Sequence, residues 1–352
     1  MSEITQIILL CRPGFEKECA GEIMDYATNF GFPAYIQTMP NTGYVQLVAT
    51  GEPNINELIS QLDFKQLIFT RQWFASLNKL NDLPEQNRLT PLINAIKSLN
   101  QDFYDIELAY PDTNEGKSLS RFCKQFKPHL LTALKKQKLL TAHSGQRLHI
   151  LFLDSQQAFV GSAPIENSAK IAMGIPRLRM PSSAPSRSTL KLEEAIHWFV
   201  EDESKVFKNG MTAVDLGAAP GGWSWQLVQR GLLVTAIDNG PMEDKIMRGG
   251  MVEHLKTDAF TYRPKKIIDW LVCDMAERPS LVSKLIAKWF GRKDCHNAIF
   301  NLKLPMKKRL QEVNECLELI HEQLNKADIT HEIQAKHLYH DREEITVCIM
   351  TS

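Results

Sequence analysis

The stretch TAVDLGAAPGGWSWQLVQRG, residues 212–231, constrains the fold more than any other part of the chain. Ala213, Val214 and Leu216 have the apolar character of the end of a buried strand. Gly217 to Gly222 carries too little side chain to form core, and Trp223 to Val228 resumes with helix-compatible residues. Strand, tight glycine loop and helix in that order let a ligand approach bare backbone at a helix N-terminus. The loop reads DLGAAPGG rather than G-x-G-x-x-G, and glycine spacing alone does not name a ligand.

The pattern around the loop extends it into a domain. STLKLEEAIHWFV, from Ser188, opens on Ser and Thr with two Glu in its first turns, a helix start. Strands are expected at 212–216, 232–237, 268–273, 297–302, 330–335 and 345–350, with helices near 222–230, 279–290 and 306–326. Strands separated by helix-length segments predict a mainly parallel, doubly wound α/β sheet. The last two strands lie close enough for an antiparallel hairpin at the sheet edge. The N-terminal half is of α+β or α/β type: strands at 6–11, 44–49, 73–78, 104–110 and 147–153, helices near 15–29, 54–62, 88–98 and 118–139. Pro164, Pro176, Pro181, Pro185 and a Ser cluster mark a connector. The expected division is an N-terminal region 1–165, a basic linker 166–186 and a C-terminal domain 187–352, consistent with the length.

Lys plus Arg and Asp plus Glu balance at 41 each, so a polyanionic partner has to be sought in local charge. Residues 117–147 contain eight Lys/Arg and no acid, and Lys170 to Lys191 adds five more without one. A solvated helix face is the bland explanation. An acid-free run in a neutral chain points instead to an anion-binding surface for a phosphate backbone. The seven cysteines are scattered without a C-x-x-C pair, which suits a reducing compartment and offers no zinc framework. The start MSEITQIILLCRPG lacks a basic leader segment, and no run approaches the ~20 apolar residues of a membrane span. A cytoplasmic location and no metal are expected.

Two carboxylates sharpen the ligand. Asp238 closes the strand LLVTAID, where an acid about 20 residues beyond such a loop takes ribose hydroxyls. Asp258, in LKTDAF, would close the next strand and lie near an adenine. Here DLGAAPGGW resembles the S-adenosylmethionine loop of the ribosomal RNA ribose methyltransferases, and SRSTLKLEEA, CDMAERP, NLKLPMKKR and LYHDREEITV extend the likeness. Over essentially its full length the chain resembles the RlmM family of bacterial 23S rRNA cytidine 2′-O-ribose methyltransferases. The resemblance implies a Rossmann-like methyltransferase domain preceded by an α+β, THUMP-containing RNA-binding region, with 23S rRNA or an assembling large-subunit precursor as substrate. It further implies S-adenosylmethionine contacts from Ser186, Ala219, Pro220, Gly221, Gly222, Asp238, Asp258 and Asp274, and a catalytic tetrad of Lys191, Asp274, Lys303 and Glu344.

A ribose hydroxyl is a poor nucleophile, so its methylation requires a base, or a cation for the forming alkoxide, and groups that hold the sugar. Asp274 and Lys303 end the apolar strands WLVCD and AIFNLK, on the ligand side of such a sheet. Lys303 is the expected base. A lysine serves as one only where burial or a neighbouring cation favours the neutral amine; Lys191 would act in that sense, whereas Asp274 and Glu344 would oppose it but orient the group. Other enzyme classes fit less well. Exocyclic-amine methylation calls for an Asn/Asp-Pro-Pro-aromatic turn where this chain has CDMAERP. Cytosine C5 methylation needs a thiolate, for which Cys273 is the candidate, on a strand and facing away from Asp274. A nicotinamide oxidoreductase needs a different glycine spacing, and a non-catalytic RNA-binding scaffold would not need Lys303 and Asp274.

Overall fold

A computed structural model describes residues 4–51 and 54–351. These divide into two compact units, meeting in sequence at Ile175 and Pro176.

In the first unit the order is β1 (Gln6–Leu10), α1 (Glu16–Asn29), β2 (Ala34–Thr38), β3 (Tyr44–Ala49), α2 (Ile55–Gln61), β4 (Gln72–Ser76), α3 (Leu89–Ser98), β5 (Asp105–Ala109), α4 (Asn114–Lys136), β6 (Gln146–Phe152) and β7 (Ala158–Pro164). The strands form one sheet in the order β2-β3-β1-β4-β7-β6-β5. Two of them, β2 and β7, are absent from the strands expected above. β2 is short and largely exposed, and β7 contains Gly161, normally a strand breaker. A Cβ at Gly161 would stand 1.8 Å from the Ala75 carbonyl oxygen, so glycine is what lets β7 lie against β4. Helix α4 begins earlier than expected because the Thr113 hydroxyl accepts the Gly116 N–H at 2.9 Å. It buries Cys123, Leu130 and Leu134 and sets Phe122 and Phe126 edge-on to Phe152. Lys117, Arg121, Lys124, Lys127, Lys135 and Lys136 all remain exposed on it.

The segment expected as a linker, 166–186, is not a single free spacer. The Asn167 side-chain amide donates to the Ile59 and Leu62 carbonyls at 2.7 and 2.9 Å, and the Met173 N–H donates to Glu107 at 2.6 Å. Residues up to 175 therefore belong to the first unit, and those from 176 to the second.

The second unit runs α5 (Thr189–Phe199), α6 (Glu203–Val206), β8 (Thr212–Leu216), α7 (Gly222–Gln229), β9 (Leu233–Ile237), α8 (Asp244–Met247), β10 (Val252–Leu255), β11 (Ile268–Cys273), α9 (Pro279–Gly291), β12 (Cys295–Lys303), α10 (Arg309–Lys326), β13 (His331–Lys336) and β14 (Glu344–Thr351). The strand order is β10-β9-β8-β11-β12-β14-β13. β10, β9, β8, β11 and β12 run parallel to one another, and β14 is inserted antiparallel between β12 and β13. The doubly wound sheet with an antiparallel edge hairpin is thus present. The winding reverses between β8 and β11, which opens a crevice at the carboxyl ends of those strands. Leu192 and Ile196, one turn apart on α5, are wholly buried with Trp223, Leu227 and Trp270. Each such aliphatic side chain contributes about 1.5–3 kcal/mol by burial, which fixes α5 and with it the adjacent Lys191.

Candidate active site

The glycine loop leaves β8 through Gly217, whose φ of +76° is left-handed, and enters α7 through Gly221 at +111°. A Cβ on Gly217 would approach Met275 Cγ to 2.7 Å. Gly222 is small for a different reason: a Cβ there would meet Ser188 Oγ at 2.2 Å and Ser186 Oγ at 2.6 Å. Ser186 and Ser188 share a 2.7 Å hydrogen bond.

Beside the loop, at the carboxyl ends of β8, β9 and β11, lies a cleft of about 440 Å³, a size typical of small-ligand sites. Ala219, Asp238, Asp258 and Asp274 line it; Ser186, Pro220, Gly221 and Gly222 do not. Asp238 braces the loop, accepting the Ala219 N–H at 3.0 Å on one oxygen and the Gly240 N–H at 2.7 Å on the other. Asp258 does not close a strand: β10 ends at Leu255, and Asp258 instead caps the following turn by accepting the Phe260 N–H at 3.0 Å. Thr257, Phe260 and Met275 complete the wall, and sequence reasoning passed over all three. Four carboxylates, Asp238, Asp258, Asp274 and Glu277, and an apolar wall suit a ligand with ribose hydroxyls, an aromatic base and a cationic centre, so these residues fit S-adenosylmethionine. Under the loop, Asp215 accepts the Ser224 hydroxyl at 2.6 Å. Burial pushes its carboxyl up to about 7 against that bond, and Asp274 adds to the rise.

At the cleft edge the chain brings together Lys191, Asp274, Lys303 and Glu344. Lys303 Nζ lies 3.0 Å from Asp274 Oδ1 and 3.6 Å from Glu344 Oε2. Lys191 Nζ lies 3.3 Å from Asp274 Oδ2 and 2.6 Å from Glu344 Oε1. Two ammonium groups thus share two carboxylates. The β12–β14 register pairs Lys303 with Glu344 directly, and such cross-strand neighbours share a face of the sheet. Lys303 is the most exposed of the four, its side chain 27% accessible. Burial drags on the charged form of Lys191, but Asp274 and Glu344 outweigh it and raise the pKa of its ammonium.

Comparison with known proteins identifies the family of the chain. Residues 4–74 match the family description RlmM ferredoxin-like domain, 87–163 match Ribosomal RNA large subunit methyltransferase M, N-terminal, and 184–331 match FtsJ-like methyltransferase. A protein of Cellvibrio japonicus named Ribosomal RNA large subunit methyltransferase M is 48% identical over 97% of this chain and 98% of its own length. One of the same name from Pasteurella multocida is 49% identical, covering 98% of each chain. The chain belongs to the ribosomal RNA large subunit methyltransferase M family.

In this member of the family, several residues that sequence reasoning left unassigned hold the tetrad in place. Glu194, buried on α5, accepts the backbone N–H groups of Tyr339 and His340 at 2.7 and 2.8 Å and lies 2.6 Å from His340 Nδ1. It thereby clamps the β13–β14 connection that delivers Glu344 to Lys191. Asn301 donates to Asp274 Oδ1 at 2.9 Å, and behind it lie Thr346 and Asp341. All four sit inside stretches that carry the family resemblance, but nothing local in the sequence marks them as partners.

The thiolate alternative fails on geometry. Cys273 is wholly buried, and burial pushes its thiol up to about 12, which disfavours the thiolate that attack on a base requires. All seven cysteines are free and buried. Among the described residues no cluster of metal-ligating side chains occurs, and no helix is long and apolar enough to cross a membrane.

Proposed function

We propose that this chain transfers a methyl group from S-adenosylmethionine to the 2′-hydroxyl of a cytidine in 23S rRNA, in the cytoplasm, on free rRNA or an assembling precursor. The observation that carries this reading is the Lys191–Asp274–Lys303–Glu344 cluster at the rim of a cleft suited to the cofactor. The bound cofactor supplies an already activated sulfonium methyl, so the protein's task is to prepare the nucleophile. Lys303, in its neutral amine form, accepts the hydroxyl proton as the sugar oxygen attacks and becomes the ammonium that Asp274 and Glu344 face. Lys191, held closer to Glu344 than Lys303 is, stays charged and steadies both carboxylates. Asp274 reaches both lysines and the cleft, tying the base to the methyl donor's side. Asp238 and Asp258 take the hydroxyls and the adenine end, and the N-terminal unit, including a THUMP-type region, holds RNA.

The test is a map of ribose methylation in 23S rRNA from cells lacking the protein. One cytidine is expected to lose its 2′-O-methyl group and regain it on complementation with the wild-type chain, but not with Lys303→Ala. An unchanged map removes the proposal, and loss of a base methyl group instead assigns a different chemistry.

The exposed lysines at the C-terminal end of α4 and just beyond it yield a second expected result. Replacing Lys135, Lys136 and Lys138 together by Ala lowers RNA affinity and flattens its salt dependence by up to about 2–3 in log–log slope, since each phosphate contact releases counterions. Titrating 23S rRNA fragments at several salt concentrations measures it. Affinity for S-adenosylmethionine stays the same. An unaltered slope would mean that this charged face is merely solvated.

A further inference from the structure

Behind the tetrad a line of buried polar groups runs away from the cleft. Asn301 Nδ2 donates to Asp274 Oδ1 at 2.9 Å, the same oxygen that Lys303 Nζ contacts at 3.0 Å. Thr346 Oγ1 lies 2.8 Å from Asn301 Oδ1, and 2.9 and 3.2 Å from the two carboxyl oxygens of Asp341. Asn301, Thr346 and Asp341 are each fully buried. Asn301 and Thr346 are also register partners on β12 and β14, two residues from the Lys303–Glu344 pair and on the same face.

The protons in this line can be counted. The Asp274 carboxylate accepts only, so the Asn301 amide must present its NH₂ there and its oxygen to Thr346. A threonine hydroxyl has a single proton, which the Asn301 oxygen therefore claims. Nothing is then left on Thr346 to bond Asp341, so the proton of that contact has to come from Asp341 itself. A carboxylate in that position would face the oxygen lone pairs of Thr346 without a hydrogen between them.

We propose that Asp341 is held as the neutral acid and starts a one-way hydrogen-bond relay, Asp341 to Thr346 to Asn301 to Asp274, that positions Lys303 for the reaction proposed above. The groups facing Asp341 agree. Burial, Glu194 of α5 and Glu344 of β14 all push its carboxyl well above the usual range, and the Lys191 ammonium opposes them. The Leu338 N–H donates to Asp341 Oδ2 at 3.1 Å, and Thr346 Oγ1 lies 3.2 Å from Oδ1, the oxygen on which the acid proton is placed. Asp341 and Thr346 touch no reacting atom; they act by fixing the Asn301 rotamer and through it the Asp274 oxygen that aligns the base.

Variants separate this role from simple support. Asp341→Asn keeps a donor toward Thr346 and an acceptor for Leu338, and is expected to hold single-turnover methylation within about 3-fold of wild type. Asp341→Leu and Thr346→Val break the line and lose about 10–10²-fold in rate at saturating S-adenosylmethionine and RNA, the scale of a slightly misplaced catalytic group. Dissociation constants for both ligands stay near wild type, and Thr346→Ser restores the rate. Thermal unfolding of each variant shows whether it is folded. The protonation itself is read without activity: the infrared difference between wild type and Asp341→Asn at neutral pH shows the C=O stretch of a protonated carboxyl. An Asp341→Asn variant as slow as Asp341→Leu, a folded Thr346→Val at the wild-type rate, or a carboxylate stretch in the difference spectrum overturns the relay. If the wild-type chain transfers no methyl group to ribose, the functional proposal falls, while the infrared result still decides the state of Asp341.

Discussion

Single-turnover methylation by Lys303→Ala is expected to fall by at least ~10²-fold, the lower range for losing a general acid–base group. The fold should survive, because Lys303 is the last residue of β12 and its side chain is partly exposed at the cleft edge. Lys191 and Asn301 continue to bind Asp274 in its absence, so S-adenosylmethionine and RNA affinities are expected to stay close to wild type. Lys303→Arg sharpens the result. A guanidinium can replace the positive charge beside Asp274 and Glu344 but stays protonated and cannot accept the hydroxyl proton, so the Arg variant should be as slow as the Ala variant. Rapid-quench measurement at saturating cofactor and RNA decides between them. Robust turnover by Lys303→Arg assigns position 303 a purely electrostatic role at the forming alkoxide, and an unimpaired Lys303→Ala removes it from the mechanism.

Asp238→Ala acts on the other side of the reaction. Its two carboxylate oxygens hold the Ala219 and Gly240 N–H groups at 3.0 and 2.7 Å and still face the cleft. Removing them loosens the glycine loop and deletes the acceptor assigned to the ribose hydroxyls of the cofactor. Hydrogen bonds to a charged group contribute roughly 1.5–3 kcal/mol each, so the dissociation constant for S-adenosylmethionine is expected to rise at least ~10-fold. RNA affinity should be unaffected, since the basic helix α4 belongs to the other unit. Calorimetry with the cofactor alone tests the assignment, and an unchanged affinity would sink it.

The parts of this architecture that could be read from sequence were those written in local pattern. Apolar runs ending in Asp238, Asp274 and Lys303 gave both the strands and the side of the sheet on which chemistry sits. The strands that escaped notice had their local signals reversed by tertiary context. Gly161 reads as a breaker in β7 until the close approach of β4 is known, β2 has five residues and is largely exposed, and β10 has only four residues. Proline density marked a connector at 166–186, yet Asn167 and Met173 are fastened into the first unit by hydrogen bonds to residues far away in sequence. The supports of the tetrad were hidden for the same reason. Asn301 and Thr346 are 45 residues apart, and Glu194 is 145 from Tyr339. No spacing rule joins such pairs before the register of β12 and β14 is known.

That register also sets an order of assembly during synthesis. Lys191, Asp274 and Lys303 are all translated before β14, which then has to slot between β12 and β13 to bring Glu344 and Thr346 into place. Until it does, β12 presents an unpaired edge and two lysines compete for one carboxylate. Domains tend to fold from the N-terminus as the chain emerges, so the N-terminal unit is in position to fold well before the Lys191–Asp274–Lys303–Glu344 cluster is complete. A nascent chain caught between these two moments would carry one finished unit and, in the other, a site still short of a carboxylate.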